Sequence, residues 1–124
     1  MSKHPLIGFL LLATLSFGAL AQNKRTASGT IYFTNNTPDD LQTLPVELLT
    51  PEKKVIRTVN PDDHHRFAFT DVDAGKYLLK LTWPTHCMLW YRIDLTKKSE
   101  TEIPIVMDAA CAHADGKIRD LPKR

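Results

Sequence analysis

Two absences narrow the functions open to this chain of 124 residues. Its 16 lysines and arginines nearly balance its 14 aspartates and glutamates, and no long basic run occurs. Nucleic-acid binding therefore has no electrostatic support, because proteins that bind nucleic acids concentrate positive charge on one surface. The motifs G-x-S-x-G and H-E-x-x-H and a glycine-rich phosphate loop are also missing, so we expect no enzymatic activity.

Sustained helical periodicity is a third absence. Apolar and polar residues instead alternate in seven short stretches, which are separated by Pro, Asp, Asn and Gly roughly every 8–12 residues. Such spacing is typical of two packed antiparallel sheets. We therefore predict an all-β domain, a seven-stranded antiparallel Greek-key sandwich.

Long apolar runs are confined to the N-terminus. There Lys3 precedes the run PLIGFLLLATLSFGAL, which ends in the small-x-small sequence of residues 19–21. This arrangement is typical of a cleaved signal peptide over residues 1–21. The run is short for a bilayer span, and Gln22 rather than a cysteine follows the predicted cut, so we expect no stable membrane anchor after cleavage.

The predicted export sets the domain organisation and the compartment. We expect a periplasmic or secreted protein with a sandwich domain over residues 22–115 and a flexible basic tail over 116–124. Cysteine is scarce, and Cys87 and Cys111 can form one intramolecular pair. Export favours this disulfide, which would close a loop of about 25 residues and contribute roughly 3–4 kcal/mol in the chain-entropy model.

The strongest hairpin pattern is RFAFTDVDAGKYLLKLTW, residues 66–83. Two phenylalanines share one face before the turn DVDAGK, in which Gly75 is free to adopt a positive φ. After the turn, alternation resumes, so we predict that the two strands pair with each other. The inward positions are Phe67, Phe69, Tyr77, Leu79, Leu81 and Trp83.

Together with SGTIYF and LPVELLT, this segment resembles the prealbumin-like (transthyretin-like, carboxypeptidase regulatory-like) family of small β-sandwiches over residues 28–108. The resemblance implies an accessory, binding or scaffolding role and carries over no catalytic motif. In this chain the family's glycine-plus-proline loop after the first strand is replaced by NNTPDDLQTLP. The resemblance therefore implies no ligand contacts for that loop. The pattern F-x-F-x-x-V-x-x-G-x-Y-x-L-x-L is matched by Phe67, Phe69, Val72, Gly75, Tyr77, Leu79 and Leu81.

The segment CMLWYRIDL divides into two faces. Cys87, Leu89, Tyr91, Ile93 and Leu95 form the more apolar set, which we assign to the core. Tryptophan and arginine are frequent energetic centres of protein interfaces. The favoured hypothesis is therefore a non-enzymatic module without a cofactor that binds an envelope or secreted protein partner. Its predicted binding surface consists of Met88, Trp90 and Arg92.

Two alternatives use other side chains. Thioether and imidazole groups suit copper(I), and the candidate ligands are His86, Met88, Met107 and His113. Strand alternation separates Cys87 from both His86 and Met88, and a disulfide would remove both thiolates as ligands. The second alternative is a carbohydrate-binding accessory module in which Trp90 and Tyr32 stack on sugar rings.

Overall fold

The computed structural model describes residues 23–34, 44–83, 87–107 and 116–122, and these residues form an all-β fold. None of them lies in a helix, so no described segment is a helix that could cross a membrane. The predicted signal peptide lies outside the described residues. The strands are β1 (Lys24–Phe33), β2 (Val46–Leu49), β3 (Val55–Val59), β4 (Arg66–Asp73), β5 (Lys76–Trp83), β6 (Cys87–Asp94), β7 (Glu100–Met107) and β8 (Ile118–Asp120).

The strands form two sheets, and both contain parallel as well as antiparallel pairs. The three-stranded sheet has the order β4-β1-β7, and the five-stranded sheet has the order β3-β2-β5-β6-β8. β1 is antiparallel to β4 but parallel to β7, and β6 is antiparallel to β5 but parallel to β8. The all-β class is confirmed, whereas purely antiparallel pairing was the wrong expectation, because alternation within a strand carries no information about its neighbour's direction.

β8 lies within residues 116–124, the segment for which we expected a flexible tail. It is the eighth strand among the described residues, one more than the sequence pattern indicated. Ile118 pairs with Trp90 and Asp120 pairs with Arg92, so β8 extends the five-stranded sheet beyond β6. Three residues are too few to show a convincing alternation, which explains why the pattern did not identify this strand.

Buried side chains from both sheets form one apolar cluster. Because side chains alternate along a strand, each sheet turns one set of residues toward the other sheet. The inward assignments made for β4, β5 and β6 are confirmed where the structure describes the side chains: Phe67, Phe69, Leu79, Leu81, Leu89, Tyr91 and Ile93 are buried in this cluster. The three-stranded sheet also contributes Ala27, Ile31, Ile103, Ile105 and Met107.

The predicted pairing of β4 with β5 is wrong. β4 pairs with β1 in the three-stranded sheet, and β5 pairs with β2 and β6 in the five-stranded sheet. The turn between β4 and β5 therefore carries the chain from one sheet to the other. The Tyr77 hydroxyl donates to the Asp73 carbonyl at 2.6 Å across this turn. Gly75 does not have a positive φ there, and the residue of β4 that does is Asp71, with φ 56°.

An arginine links the two sheets where their edge strands meet. Arg57 of β3 donates from Nη2 to the Asp71 carbonyl at 2.8 Å and from Nη1 to the Thr70 carbonyl. β3 is an edge of the five-stranded sheet and β4 an edge of the three-stranded sheet. The guanidinium therefore occupies backbone acceptors that an edge strand would otherwise offer to another chain.

Candidate functional site

The outer face of the five-stranded sheet carries the predicted binding residues. Along β6, Met88 is 39% exposed, Arg92 is exposed and Trp90 is half-buried, whereas Leu89 and Tyr91 between them are buried. The structure thus places these three side chains on one face, away from the main core. Leu89 and Tyr91 belong to that core.

Two lysines hold the Trp90 ring in place. The Nζ atoms of Lys53 and Lys80 each lie 5.1 Å from the ring centroid. Lys80 is the register partner of Trp90 on β5, whereas Lys53 belongs to the β2–β3 turn and reaches the ring across β5. Lys53 has a positive φ of 70°. Each cation–π contact at such a site contributes about 0.5–1 kcal/mol.

Beneath this arrangement lies a second, smaller apolar group. Leu49 and Leu78 are only 2% and 5% exposed, yet they lie outside the main core cluster. They pair with each other across β2 and β5, and Leu78 shares the outer face with Lys80. Trp90 is diagonal to Leu78 in the β5–β6 register, within reach of a large aromatic side chain. Trp90 is therefore half-buried above this group and has part of its ring exposed.

The ion pairs on this face involve exposed or half-buried groups. Arg92 Nη1 lies 3.2 Å from Asp120 Oδ1 on β8, and both side chains are mostly exposed. Lys80 Nζ lies 3.9 Å from Glu47 Oε1 on β2. Exposed pairs of this kind contribute about 0–1 kcal/mol, so they orient side chains more than they stabilise the fold. Lys53 thus adds a third cation beside Lys80 and Arg92, the two cations that have acidic partners here.

The copper alternative is not assembled by the described residues. Met107 is buried in the core, whereas Met88 is exposed on the outer face of the five-stranded sheet, so these two sulfurs do not share a site. His86 and His113 lie outside the described residues. The predicted disulfide also lies outside them, because it involves Cys111 and the side chain of Cys87. Among the described residues, no group of three or more His, Cys, Asp or Glu side chains converges on a metal position.

The two aromatic residues of the carbohydrate alternative belong to separate surfaces. Tyr32 is 54% exposed on the outer face of the three-stranded sheet, and Trp90 lies on the outer face of the five-stranded sheet. The core lies between these faces. A single small saccharide therefore cannot contact both rings.

A cleft of about 1000 Å³ lies over the three-stranded sheet beside Tyr32. Its floor consists of short outward side chains on adjacent strands: Ser28, Thr30, Ala68 and Pro104. Sequence reasoning missed this cleft, although short residues at the outward positions of three strands were a usable signal. The polar residues around the floor are Asn60, Asp62, Arg66 and Glu102.

The loop before β4 fixes one carboxylate at the rim of the cleft. Asp62 Oδ1 accepts hydrogen bonds from the backbone N–H groups of Arg66, at 3.0 Å, and His64, at 2.9 Å. The Arg66 hydrogen bond is the main reason why the pKa of Asp62 lies below its ordinary value. The carboxylate is therefore ionised and positioned at neutral pH.

Comparison with known proteins identifies no family for this chain. No protein-family model matches the chain, and no curated protein matches it significantly.

Proposed function

We propose that this chain is an exported, non-enzymatic binding module with a prealbumin-like sandwich fold, and that it binds an envelope or secreted protein. The partner contacts the Trp90 surface, which consists of Met88, Trp90 and Arg92 together with Lys53 and Lys80. The fold proposal is supported by two sheets that enclose one core and by the resemblance of β4 and β5 to that family. The interaction proposal is carried by one observation: two lysine side chains contact the half-buried Trp90 ring on an outer face.

A positioned tryptophan favours binding because little conformational entropy is lost when a partner covers it. Trp90 is restrained by contacts from β5 and from the β2–β3 turn. Met88, two residues away on the same face, adds an exposed and adaptable apolar side chain. Arg92 continues the row, so apolar contact and charge lie side by side, as at the centres of many interfaces.

The charge of the Trp90 surface indicates the chemistry of the partner. Glu47 lies near Lys80 and Asp120 pairs with Arg92, so Lys53 leaves the surface with one excess positive charge. A partner with an apolar centre and an acidic rim would complement it. Such complementarity raises the rate of encounter and is weakened by salt.

We expect the exported protein to lack residues 1–21 and to contain the Cys87–Cys111 disulfide. Its intact mass should correspond to a chain that begins at Gln22 and lacks two hydrogens, and reduction should restore them. Intact-mass spectrometry of protein recovered from the envelope, with and without reductant, measures both features. Two free thiols would contradict the disulfide, and an uncleaved chain would contradict the signal peptide.

We expect Trp90→Ala to reduce recovery of the partner about tenfold or more, since truncating a central interface aromatic commonly removes about 2 kcal/mol or more of binding free energy. The measurement is a quantitative pulldown from envelope extract with the immobilised mature chain. Met88→Ala should also reduce recovery while changing the free energy of unfolding by less than about 0.5 kcal/mol, because Met88 is a surface residue.

Val106→Ala is the matched control for this pulldown. Val106 is 46% exposed on the other sheet and lies outside the Trp90 surface, so its truncation should leave recovery unchanged. Equal losses of partner recovery with Val106→Ala and Met88→Ala would contradict the proposed surface. Failure of the unmodified chain to retain any envelope protein would contradict the interaction proposal itself.

A further inference from the structure

The outer face of the three-stranded sheet has a shape that sets it apart from the Trp90 surface. Thr30 pairs with Arg66 on one side and with Pro104 on the other, and Ser28 pairs with Ala68. Because short side chains occupy the middle of this face, the surface is depressed between Tyr32 and the polar residues around it. The depression is the cleft of about 1000 Å³, which is at the upper end of the usual range for small-molecule sites.

The dimensions of the floor follow from strand geometry. Tyr32 stands two residues beyond Thr30 on β1, a separation of roughly 7 Å, and the three strands together span roughly 10 Å. One sugar ring can lie flat on such an area, and neighbouring rings can extend along the open cleft. The floor is built on strands rather than on a loop, so it is preorganised.

The side chains around the floor have the chemistry that sugar hydroxyls require. A hydroxyl both donates and accepts hydrogen bonds, and the rim offers acceptors on Asp62 and donors on Arg66. Asn60 adds an amide that can do both. The exposed Tyr32 ring provides an apolar face for the C–H groups of a pyranose.

We propose that this cleft is a binding site for a neutral oligosaccharide, with one pyranose ring packed on Tyr32 and its hydroxyls bonded to Asn60, Asp62 and Arg66. Neutral rather than acidic sugars fit because the Asp62 carboxylate is fixed at the rim and would repel a sugar carboxylate. The same repulsion disfavours phosphate-bearing ligands. The site lies on the opposite surface from Trp90 and does not depend on the protein-binding proposal.

The experiment is an NMR titration of the full mature chain with neutral tri- and tetrasaccharides of glucose and of N-acetylglucosamine. We expect saturable shifts of amide signals in β1, β4 and β7 with at least one of these probes. Tyr32→Ala should weaken its affinity about tenfold or more, while Tyr32→Phe, which keeps the ring, should remain within about threefold of the unmodified chain.

Val106→Ala is the matched control, since Val106 pairs with Tyr32 in the β1–β7 register and is similarly exposed but lies outside the cleft. It should bind the oligosaccharide as the unmodified chain does. The absence of saturable shifts up to about 10 mM probe, or equal affinity after Tyr32→Ala, would overturn the proposal. Tighter binding of an oligosaccharide that contains glucuronate would overturn the assignment to neutral sugars.

One further outcome would reassign the cleft. If Tyr32→Ala abolished capture of an envelope protein while no oligosaccharide bound, the cleft would be a protein-binding site and the saccharide proposal would be wrong. Shifts confined to β6 would likewise place saccharide binding on the Trp90 surface instead. Neither result replaces the pulldown test of Trp90 and Met88, which uses separate variants on the other outer face.

Discussion

Gly29→Ala should lower the free energy of unfolding by about 3 kcal/mol or more, a large part of the roughly 5–15 kcal/mol typical of a single domain. A Cβ atom at this position would lie 2.2 Å from the Ile103 carbonyl oxygen and 2.8 Å from the Ile103 Cβ. Most of this conflict involves the β7 backbone, which cannot move without disturbing its pairing with β1. Urea unfolding followed by circular dichroism measures the loss, and we expect the melting temperature to fall by roughly 12 °C or more.

Gly75→Ala is the control for this substitution. The atom nearest to a Cβ at Gly75 is the Tyr77 hydroxyl oxygen, at an ordinary contact distance of 3.4 Å, and Gly75 does not have a positive φ. We expect the free energy of unfolding to change by less than about 1 kcal/mol, in either direction. Similar effects of the two substitutions would contradict the close approach of β1 and β7.

Leu79→Ala should destabilise the protein by about 2–5 kcal/mol, whereas Leu78→Ala should have a clearly smaller effect. Leu79 is fully buried in the core between the two sheets. Leu78 is 5% exposed but lies on the outer face, near lysine and tryptophan side chains that can close over a small gap. The cost of a truncation depends on how far the neighbours can collapse into the space that it leaves.

This comparison is a test of the two-sided burial of β5. The two residues are adjacent leucines that are almost equally buried. Differences in intrinsic strand propensity, and in side-chain exposure in the unfolded state, therefore cancel. Urea unfolding of both variants measures the difference in free energy. A larger loss with Leu78→Ala would mean that the outer apolar group with Leu49 is more rigid than the shared core.

The two proposed sites are formed by different strands. The Trp90 surface depends on β2, β5, β6 and β8, whereas the saccharide cleft depends on β1, β4, β7 and the loop before β4. Binding on one outer face leaves the other accessible. A chain with both activities would link an oligosaccharide to a protein, and simultaneous binding of both ligands is the expected behaviour.

Much of the face assignment could be predicted before the structure was known. Phe67, Phe69, Leu79 and Leu81 are buried as the alternation indicated, and Met88 is exposed. This succeeds because the direction of a side chain in a strand follows from its position alone. The same rule did not indicate the burial of Leu78 and Leu49, since an outward position becomes buried only if distant residues cover it.

The pairing of strands and the candidate sites were much harder to predict from the sequence. RFAFTDVDAGKYLLKLTW has the local pattern of a hairpin, yet its two strands belong to different sheets. Local alternation is the same whether a chain turns back within one sheet or crosses to the facing sheet. The contact of Lys53 with Trp90 and the cleft beside Tyr32 likewise join residues that are far apart in sequence.

The sequence by itself determined the all-β class, most of the inward positions and the presence of Met88, Trp90 and Arg92 on one side of β6. Only the tertiary structure decided that β7 lies parallel to β1, that β4 and β5 belong to different sheets, and that Tyr32 and Trp90 occupy opposite surfaces. The physical reason is the range of the interactions. A residue's face is set by its own backbone, whereas strand partners and clefts are set by contacts between segments distant along the chain.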